Sequence, residues 1–174
     1  MLPIAREHIE SLLVSKRVAG LLGVVAARAN VAEKDLSNSG LWRMARASQG
    51  RVIDALLGNN LSIRRVIFTA HLADFLEWAA VQNGYRLAID QVKRTQAEAS
   101  KNAESGAGIS NSLHLDGLAC DLLLYDLNGS YLKDSPSYET LGLQWERSYP
   151  LACWGGRFAK PDGGHFSHAF RGVK

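Results

Sequence analysis

The sequence predicts an α+β protein, in which a helical N-terminal part packs with a small, mostly antiparallel sheet. Three observations predict this class. Apolar residues fall at helical spacing through the first sixty residues, and a clearer helical stripe follows between Phe68 and Ala79. After Asn83–Gly84 the pattern changes to alternation, and the turn signal Asn128–Gly129 separates two strand-like segments. Helices followed by hairpin-connected strands are typical of an α+β domain.

Size and composition limit the classes of protein that the chain can belong to. Its 174 residues are enough for one domain with a core, and 47% hydrophobic with 21% charged residues is ordinary for a soluble globular protein. The net charge of +3 is too weak to predict a nucleic-acid partner. We also expect the protein to be a monomer. Two cysteines, Cys120 and Cys153, indicate reduced thiols of a cytosolic protein rather than a disulfide scaffold.

The longest apolar run, Val18–Ala27, is too short to span a bilayer, so stable membrane insertion is not expected. Two basic residues before the run and the sequence ARA at its end are similar to a cleaved export signal. The segment before it is long and contains Glu7 and Glu10, which is unlike the start of a signal peptide. We therefore predict a buried helix in a protein made in the cytoplasm, with export as the alternative.

Residues 1–60 are predicted to be a helical extension that packs on the following core. The apolar residues near one face of its first helix are Ile4, Ile9, Leu12 and Leu13. A turn and cap signal at Asp35–Gly40 precedes a third helix, Leu41 to Leu57, which Gly58–Asn60 ends. Residues 61–174 form the predicted second domain, which carries the candidate site.

The second domain is predicted to continue from its helix into the strands. A half-buried strand begins at Tyr85, and a polar Gly/Ser loop covers Lys101 to Ser112. Leu118 to Leu124 is the strand before the hairpin turn. Ser135–Pro136 marks the start of the last helix, with the cap directly before the proline.

A candidate metal site lies around the strand that begins at Leu118. His114 precedes this strand and Asp121 lies within it. Gly117 between them lets the imidazole approach the carboxylate, where a Cβ would block the approach. Strand alternation directs Cys120 into the core instead. Imidazole and carboxylate are normal zinc ligands, but a hydrogen-bonded His–Asp pair at a strand end is the alternative.

The third ligand is predicted in the segment DGGHFSH. His165 begins an apparent strand, and Asp162 lies three residues earlier, across a Gly-Gly turn. A carboxylate that lies close to a metal site without binding the metal can act as a general base. His168 is the rival ligand, but it lies on the opposite face of a strand, so we expect it to be solvent-facing or to support the site indirectly. His8 and His71 lie on predicted helices, where we expect core or surface packing rather than metal ligation.

These segments resemble a known family. SLHLDGLACD, residues 112–121, resembles the S-x-H-x-x-G-x-A-x-D motif of zinc D-alanyl-D-alanine carboxypeptidases and L-alanyl-D-glutamate endopeptidases, which include phage endolysins. DGGHFSH, residues 162–168, is similar to the second motif of the family. KRTQAEAS, residues 93–100, resembles its upstream Arg-containing segment, and WGGRF, residues 154–158, is similar to phage members. The resemblance covers about Phe68 to His168, in the family's order.

The resemblance implies a hedgehog/D,D-peptidase-like fold with a zinc cofactor, and it assigns roles by position. The implied zinc ligands are His114, Asp121 and His165. Asp162 is implied to be the catalytic base and acid. Arg94 would face the substrate carbonyl and the oxyanion that forms there, and Ser112 would line the pocket beside His114.

The implied activity is hydrolysis of peptidoglycan stem peptides between L-alanine and D-glutamate, by a phage endolysin that reaches the host wall after its release from the cytoplasm. A D-alanyl-D-alanine carboxypeptidase or dipeptidase is the alternative among enzymes. A zinc-containing binding module without enzymatic activity is the alternative from another class.

Overall fold

The structure is a computed structural model that describes residues 40–106 and 108–174, with side chains from residue 48 onward. The helices predicted before residue 40, the cap signal that precedes Gly40, and His8 lie outside the described residues. One compact unit covers Gln49–Lys174. The predicted boundary at residue 60 stays a prediction. None of the described helices is both long and apolar enough to cross a membrane.

Helices and strands follow one another in the predicted manner. The described helices are α1 (Gly40–Leu57), α2 (Leu61–Leu76), α3 (Gln96–Glu104), α4 (Leu113–Asp116) and α5 (Glu139–Ser148). A π-helical segment (Glu77–Gln82) continues α2, and 3₁₀ turns cover Ser135–Tyr138 and Gly155–Arg157. The described strands are β1 (Arg86–Gln91), β2 (Ala119–Tyr125), β3 (Tyr131–Leu132), β4 (Ala152–Trp154) and β5 (His165–His168).

The described strands form one small antiparallel sheet in the order β1–β2–β5–β4, and β3 adds to the free part of β2. Strand β2 therefore lies between β1 and β5, and its side chains project alternately from the two faces of the sheet. The protein is α+β, as the sequence predicts. The hairpin turn contains Gly129 with a φ of 81°, which only glycine adopts at little cost.

Aromatic packing holds the helices α2 and α5 against one face of the sheet. The ring of Phe166 on β5 lies 5.3 Å from Phe75 of α2 and 5.9 Å from Trp145 of α5. The indole of Trp145 also donates a hydrogen bond to the Ser167 carbonyl at 3.1 Å. Because this face is filled, polar side chains on the other face of β2 and β5 can carry a site.

Four boundaries differ from the predictions. Helix α2 begins at Leu61, earlier than the predicted stripe, because the Asn60 side chain caps it. Part of the predicted loop is wrong, since α3 extends to Glu104. Thr95 and Glu98 start α3 with reciprocal side-chain to backbone hydrogen bonds, a capping box that the spacing T-x-x-E could have indicated.

The other two differences lie next to the site. Leu113–Asp116 forms a single helical turn directly before β2, in a segment for which neither a helix nor a strand was predicted. Before the last helix, Asp134 rather than Ser135 is the cap, because the Asp134 carboxylate accepts a hydrogen bond from the Ser137 backbone. It caps the 3₁₀ turn Ser135–Tyr138, and α5 follows this turn without a side-chain cap of its own.

Candidate metal centre

The three predicted ligands come together although they are far apart in the chain. Asp121 Oδ1 lies 3.2 Å from His114 Nε2 and 3.0 Å from His165 Nδ1. The two imidazole nitrogens are 3.3 Å apart. These three residues are the group among the described residues whose donor atoms can hold a metal ion.

The sheet and one helical turn position these side chains. Asp121 on β2 and His165 on β5 are direct cross-strand partners, so their side chains lie on the same face. His114 comes from α4, which Ser112 caps by accepting a hydrogen bond from the His114 backbone at 3.4 Å. Gly117 ends this turn with a φ of 65°. The glycine is needed for this backbone conformation.

The reason predicted for Gly117 is wrong. A Cβ at this position would meet the Arg65 side chain at 3.5 Å, which is an ordinary van der Waals contact. It would not block the approach of His114 to Asp121. The left-handed backbone, which disfavours residues with a Cβ, explains the glycine instead.

A backbone carbonyl orients His114. Its Nδ1 lies 3.0 Å from the Val92 oxygen, which can only accept a hydrogen bond. In the neutral imidazole the proton therefore sits on Nδ1, and the Nε2 lone pair faces Asp121. A histidine that donates one ring N–H to a carbonyl and offers the other nitrogen is the usual form of a metal ligand.

The carboxylate of Asp121 is ionised at neutral pH. Burial by itself raises the pKa of Asp121, but hydrogen bonds and positive charge from His114 and His165, which act when a proton rather than a metal ion lies between the rings and the carboxylate, hold it well below its usual range. The cluster thus offers a negative oxygen and two imidazole nitrogens. Unless a proton or a cation lies between them, such electron-rich atoms repel one another.

The spacing of the donor atoms fits a tetrahedral divalent ion. With metal–ligand distances of about 2.0–2.1 Å, tetrahedral geometry separates nitrogen and oxygen donors by about 3.3 Å. The separations here are 3.0 to 3.3 Å. Two histidines and one carboxylate suit zinc, and three protein ligands leave a coordination position for water or substrate.

Cys120 does not add a fourth ligand. It is fully buried, pairs across the strands with Phe166, and so lies on the core side of β2. Burial raises the pKa of its thiol to about 12, so it stays protonated. The predicted placement of this residue in the core is confirmed.

Arg94 points at the cluster. Its Nε and NH2 donate hydrogen bonds to the Gln91 side-chain oxygen at 2.8 and 2.5 Å. NH2 also lies 3.4 Å from Asp121 Oδ2, and the side chain is only 12% exposed. Gln91 faces Asp121 across the strands, directly after a register shift in β1. The guanidinium is thus held beside the carboxylate, while its role toward a substrate stays a prediction.

A pocket of about 220 Å³ opens beside the cluster, and Asp121 and Asp162 both line it. Asp162 is exposed, and its backbone N–H donates to the Gly155 carbonyl at 2.9 Å. The turn that follows is tightly packed: a Cβ on Gly164 would lie 2.9 Å from the Leu122 oxygen. The carboxylate predicted as a general base therefore shares a pocket with Asp121 of the candidate metal cluster.

Ser112 has a different environment from that pocket. It is buried, and its side-chain hydroxyl accepts a hydrogen bond from the His114 backbone as the cap of α4. The described lining of the pocket does not include it. Its predicted contact with a substrate stays a prediction.

His168 is not solvent-facing, and that expectation is wrong. It lies on the opposite face of β5 from the cluster, as predicted, but only 4% of it is exposed. Its Nε2 is 2.8 Å from His71 Nδ1, and its ring stacks on Tyr149 with centroids 4.4 Å apart. Burial, then the positive charge of His71 and Arg64, lowers the pKa of His168 well below its usual value. His168 is therefore part of the core. His71 is half-buried and stacks on Trp145, which agrees with the core or surface packing predicted for it.

The sequence did not point to several residues of the site. Backbone atoms such as the Val92 carbonyl have no signature in the sequence. Asp90 and Gln91 lie at the register shift near the end of β1, where a bulge changes the direction of the side chains. Tyr131 and Lys133, which line the pocket, lie on and just after the return strand of the predicted hairpin. Because this return strand pairs with β2, the polar residues on it and after it could have been predicted to lie near the site.

Comparisons with known proteins add little to this geometry. No protein-family model matches the chain, and no curated protein is significantly similar to it. Among solved structures, the chain is similar to the L-Ala D-Glu endopeptidase ChiX of Serratia marcescens, at 22% identity and a TM-score of 0.49. The likeness covers 57% of this chain and 79% of that one. Similarity at this level leaves the function to be inferred from the site itself.

Proposed function

We propose that this protein is a zinc peptidase with a hedgehog/D,D-peptidase-like fold that hydrolyses peptidoglycan stem peptides at the L-alanyl-D-glutamate bond. One observation carries the proposal. Three donor atoms from α4, β2 and β5 converge to within 3.3 Å, beside a pocket that a further carboxylate lines. An open three-ligand site with a nearby base describes a hydrolytic metal site better than a structural one, which is closed by four ligands.

The sequence motifs support the choice of substrate. Both zinc-peptidase motifs and the upstream arginine segment occur in the family's order, on the residues that the fold brings together or near one another. The cleaved bond and the role in phage lysis are inferred from that resemblance.

Each residue has a defined task in the proposed reaction. His114, Asp121 and His165 hold the ion, which, when bound, polarises the scissile carbonyl and acidifies water. Asp162 takes a proton from the attacking water and returns it to the leaving amine. Arg94 donates hydrogen bonds to the oxygen on which negative charge develops. Since Arg94 is already held beside Asp121, little reorganisation is needed for that contact.

Metal content and hydrolysis test the proposal together. Purified wild-type protein, Asp121→Ala and Asp162→Ala are compared for bound zinc and for cleavage of stem peptides, followed by mass spectrometry. We expect Asp121→Ala to lose zinc, and Asp162→Ala to keep zinc but lose about 10²- to 10⁴-fold in rate. Asp74→Ala is the matched control, because Asp74 is an exposed carboxylate on α2 that does not line the pocket.

The products separate the alternatives. An internal cut releases an N-terminal L-alanine piece, whereas a D-alanyl-D-alanine carboxypeptidase releases D-alanine. Wild-type protein that binds zinc but leaves walls and stem peptides intact would instead be a binding module. Wild-type protein without stoichiometric zinc would contradict the proposed metal site itself.

A further inference from the structure

A lysine lies in the pocket beside the metal cluster without an anionic partner among the described residues. Lys133 lines this pocket together with Asp121 and Asp162. The ion pairs in the described part of the chain do not include it. Its Nζ lies 5.8 Å from the ring centroid of Tyr131, which also lines the pocket. The ammonium group is therefore available to an anion that enters from outside.

The remaining charges of the pocket make this lysine distinctive. The other ionised side chains in the described lining are the carboxylates of Asp90, Asp121 and Asp162. A divalent ion at the cluster would bring the formal charge of the lining and ion to zero. A carboxylate on a ligand would still be repelled wherever an aspartate is near. Apart from the metal side, Lys133 is the point in the pocket that attracts it.

Packing fixes the backbone segment that carries Lys133 relative to the turn that carries Asp162. The residues after Lys133 enter the 3₁₀ turn Ser135–Tyr138, and the Tyr138 hydroxyl accepts a hydrogen bond from the Leu124 backbone at 2.8 Å. Ser135 packs so closely on the Asp162 turn that a Cβ on Gly163 would lie 2.7 Å from the Ser135 Cα. The segment that carries the cation thus contacts the turn that carries the proposed base.

The pocket is large enough for part of a substrate only. About 220 Å³ is below the range of roughly 300–1,000 Å³ for sites that enclose a whole small ligand. It suits one residue next to the cleaved bond. In an L-alanyl-D-glutamyl peptide, the glutamate that follows this bond keeps one free carboxylate, because its other carboxyl continues the chain.

We propose that Lys133 binds this free carboxylate and makes the site selective for acidic peptides over the same peptides with the carboxyl group converted to an amide. The inference rests on the proposed peptidase function and adds a specificity residue to it. Lys133 binds the substrate beside the reacting bond and takes no part in proton transfer.

Two synthetic peptides test it. They share the L-alanyl-D-glutamyl bond and differ only in whether the free glutamyl carboxyl is an acid or a primary amide. For the wild type we expect kcat/KM to be about fivefold higher for the acid, the upper range for an exposed ion pair. Lys133→Met should abolish the preference and Lys133→Arg should keep it. Lys101→Met is the control, because Lys101 is exposed on α3 and does not line the pocket.

A binding measurement gives a readout apart from catalysis. The D-glutamyl product peptides, acid and amide, are titrated calorimetrically into zinc-loaded wild type and Lys133→Met. We expect an affinity ratio of about five in the wild type and about one in the variant. An acid preference that is unchanged in Lys133→Met, or no preference in the wild type, overturns the proposal. If the wild type cleaves neither peptide, the proposed function fails, and the binding ratio alone decides the role of Lys133.

Discussion

Arg94 contacts both a neighbouring amide and the Asp121 carboxylate of the candidate metal cluster, so its removal can act in two ways. Its hydrogen bonds to Gln91 are short, whereas its contact with Asp121 is 3.4 Å long. A weak hold on Asp121 leaves the guanidinium able to turn toward charge that develops on a substrate. If instead its main effect were on Asp121, removal would weaken metal binding.

We predict that Arg94→Met lowers kcat by about 10²-fold and leaves zinc affinity within a few-fold of the wild type. The reason is the loss of one donor to the developing oxyanion, which typically costs 10²–10³ in rate. Steady-state kinetics and competition with a zinc chelator measure the two effects separately. Lys93→Met, an exposed neighbour, should change neither. A large fall in zinc affinity with unchanged kcat in the zinc-saturated enzyme would refute the catalytic role.

Which residues form the candidate metal cluster could be predicted from the sequence, but their orientation could not. His114, Asp121 and His165 are residue types with known ligand chemistry, and strand alternation gave the correct faces for Asp121 and Cys120. The tautomer of His114 depends on the carbonyl of Val92. The direction of Arg94 depends on a bulge in β1. Both are tertiary features without a local pattern.

At the level of elements, the single turn α4 connects the sequence motif with the geometry. Its left-handed end at Gly117 decides where the His114 ring lies relative to β2. The strain of a Cβ in this backbone conformation is about 1–2 kcal/mol. Part of this strain can be relieved by a shift of the turn, which would move His114.

We therefore predict that Gly117→Ala destabilises the protein by about 1–2 kcal/mol and also weakens zinc binding. Gly106→Ala is the matched control. Its φ of 69° is nearly the same, and nothing lies within 4 Å of a Cβ there. It should lose similar stability in chemical denaturation but keep its zinc affinity. Equal zinc affinities in the two variants would show that Gly117 does not position His114 for zinc binding.

Long periodic elements were predicted better than short ones. Strand β2 agrees with the sequence pattern because it buries alternate side chains. Helix α1 ends at the predicted residue, Leu57, although the apolar side chains of Val52 and Leu56 are exposed. Helix α3 buries only Ala99 among its residues, so no apolar stripe marked it, and its capping box was the remaining signal. Helix α4 is a single turn, too short for any period to be visible.

For the whole molecule, a metal ion would add a link between parts of the fold that strand pairing and packing already hold together. His114 and His165 are separated by 51 positions in the chain, and their ring nitrogens are 3.3 Å apart. Such a site is absent from the unfolded chain, so binding free energy adds to stability.

We predict that zinc at about 100 times its dissociation constant stabilises the protein by about 2.7 kcal/mol. Thermal unfolding with zinc and with a chelator measures this shift. Asp121→Ala should show no shift at the same zinc concentration. A wild type whose melting temperature does not respond to zinc would count against a native-state metal site.

The pH dependence of stability has a separate source on the opposite face of β5. His168 is 4% exposed, and it faces the ring of Phe68 and stacks on Tyr149. Burial, then the charge of His71 and Arg64, lowers the pKa of His168 in the folded state. Between the folded and the unfolded pKa of His168, this residue is therefore protonated in the unfolded chain and neutral in the folded protein. The stabilisation is complete above the unfolded pKa of about 6.5 and is lost as the pH falls below it.

We predict that the free energy of unfolding of the metal-free protein falls on acidification below about pH 6.5, and that His168 contributes up to about 1.4 kcal/mol per pH unit to this slope. His168→Phe keeps an aromatic ring in the cluster and cannot titrate, so its slope should be smaller by that amount. The variant also removes the 2.8 Å contact between His168 and His71 Nδ1, which lowers stability. Urea denaturation between pH 5 and 7.5, with a chelator present for both proteins, measures the slopes. Equal slopes would show that His168 takes up its proton in the folded state as readily as in the unfolded chain, which its burial between two aromatic rings argues against.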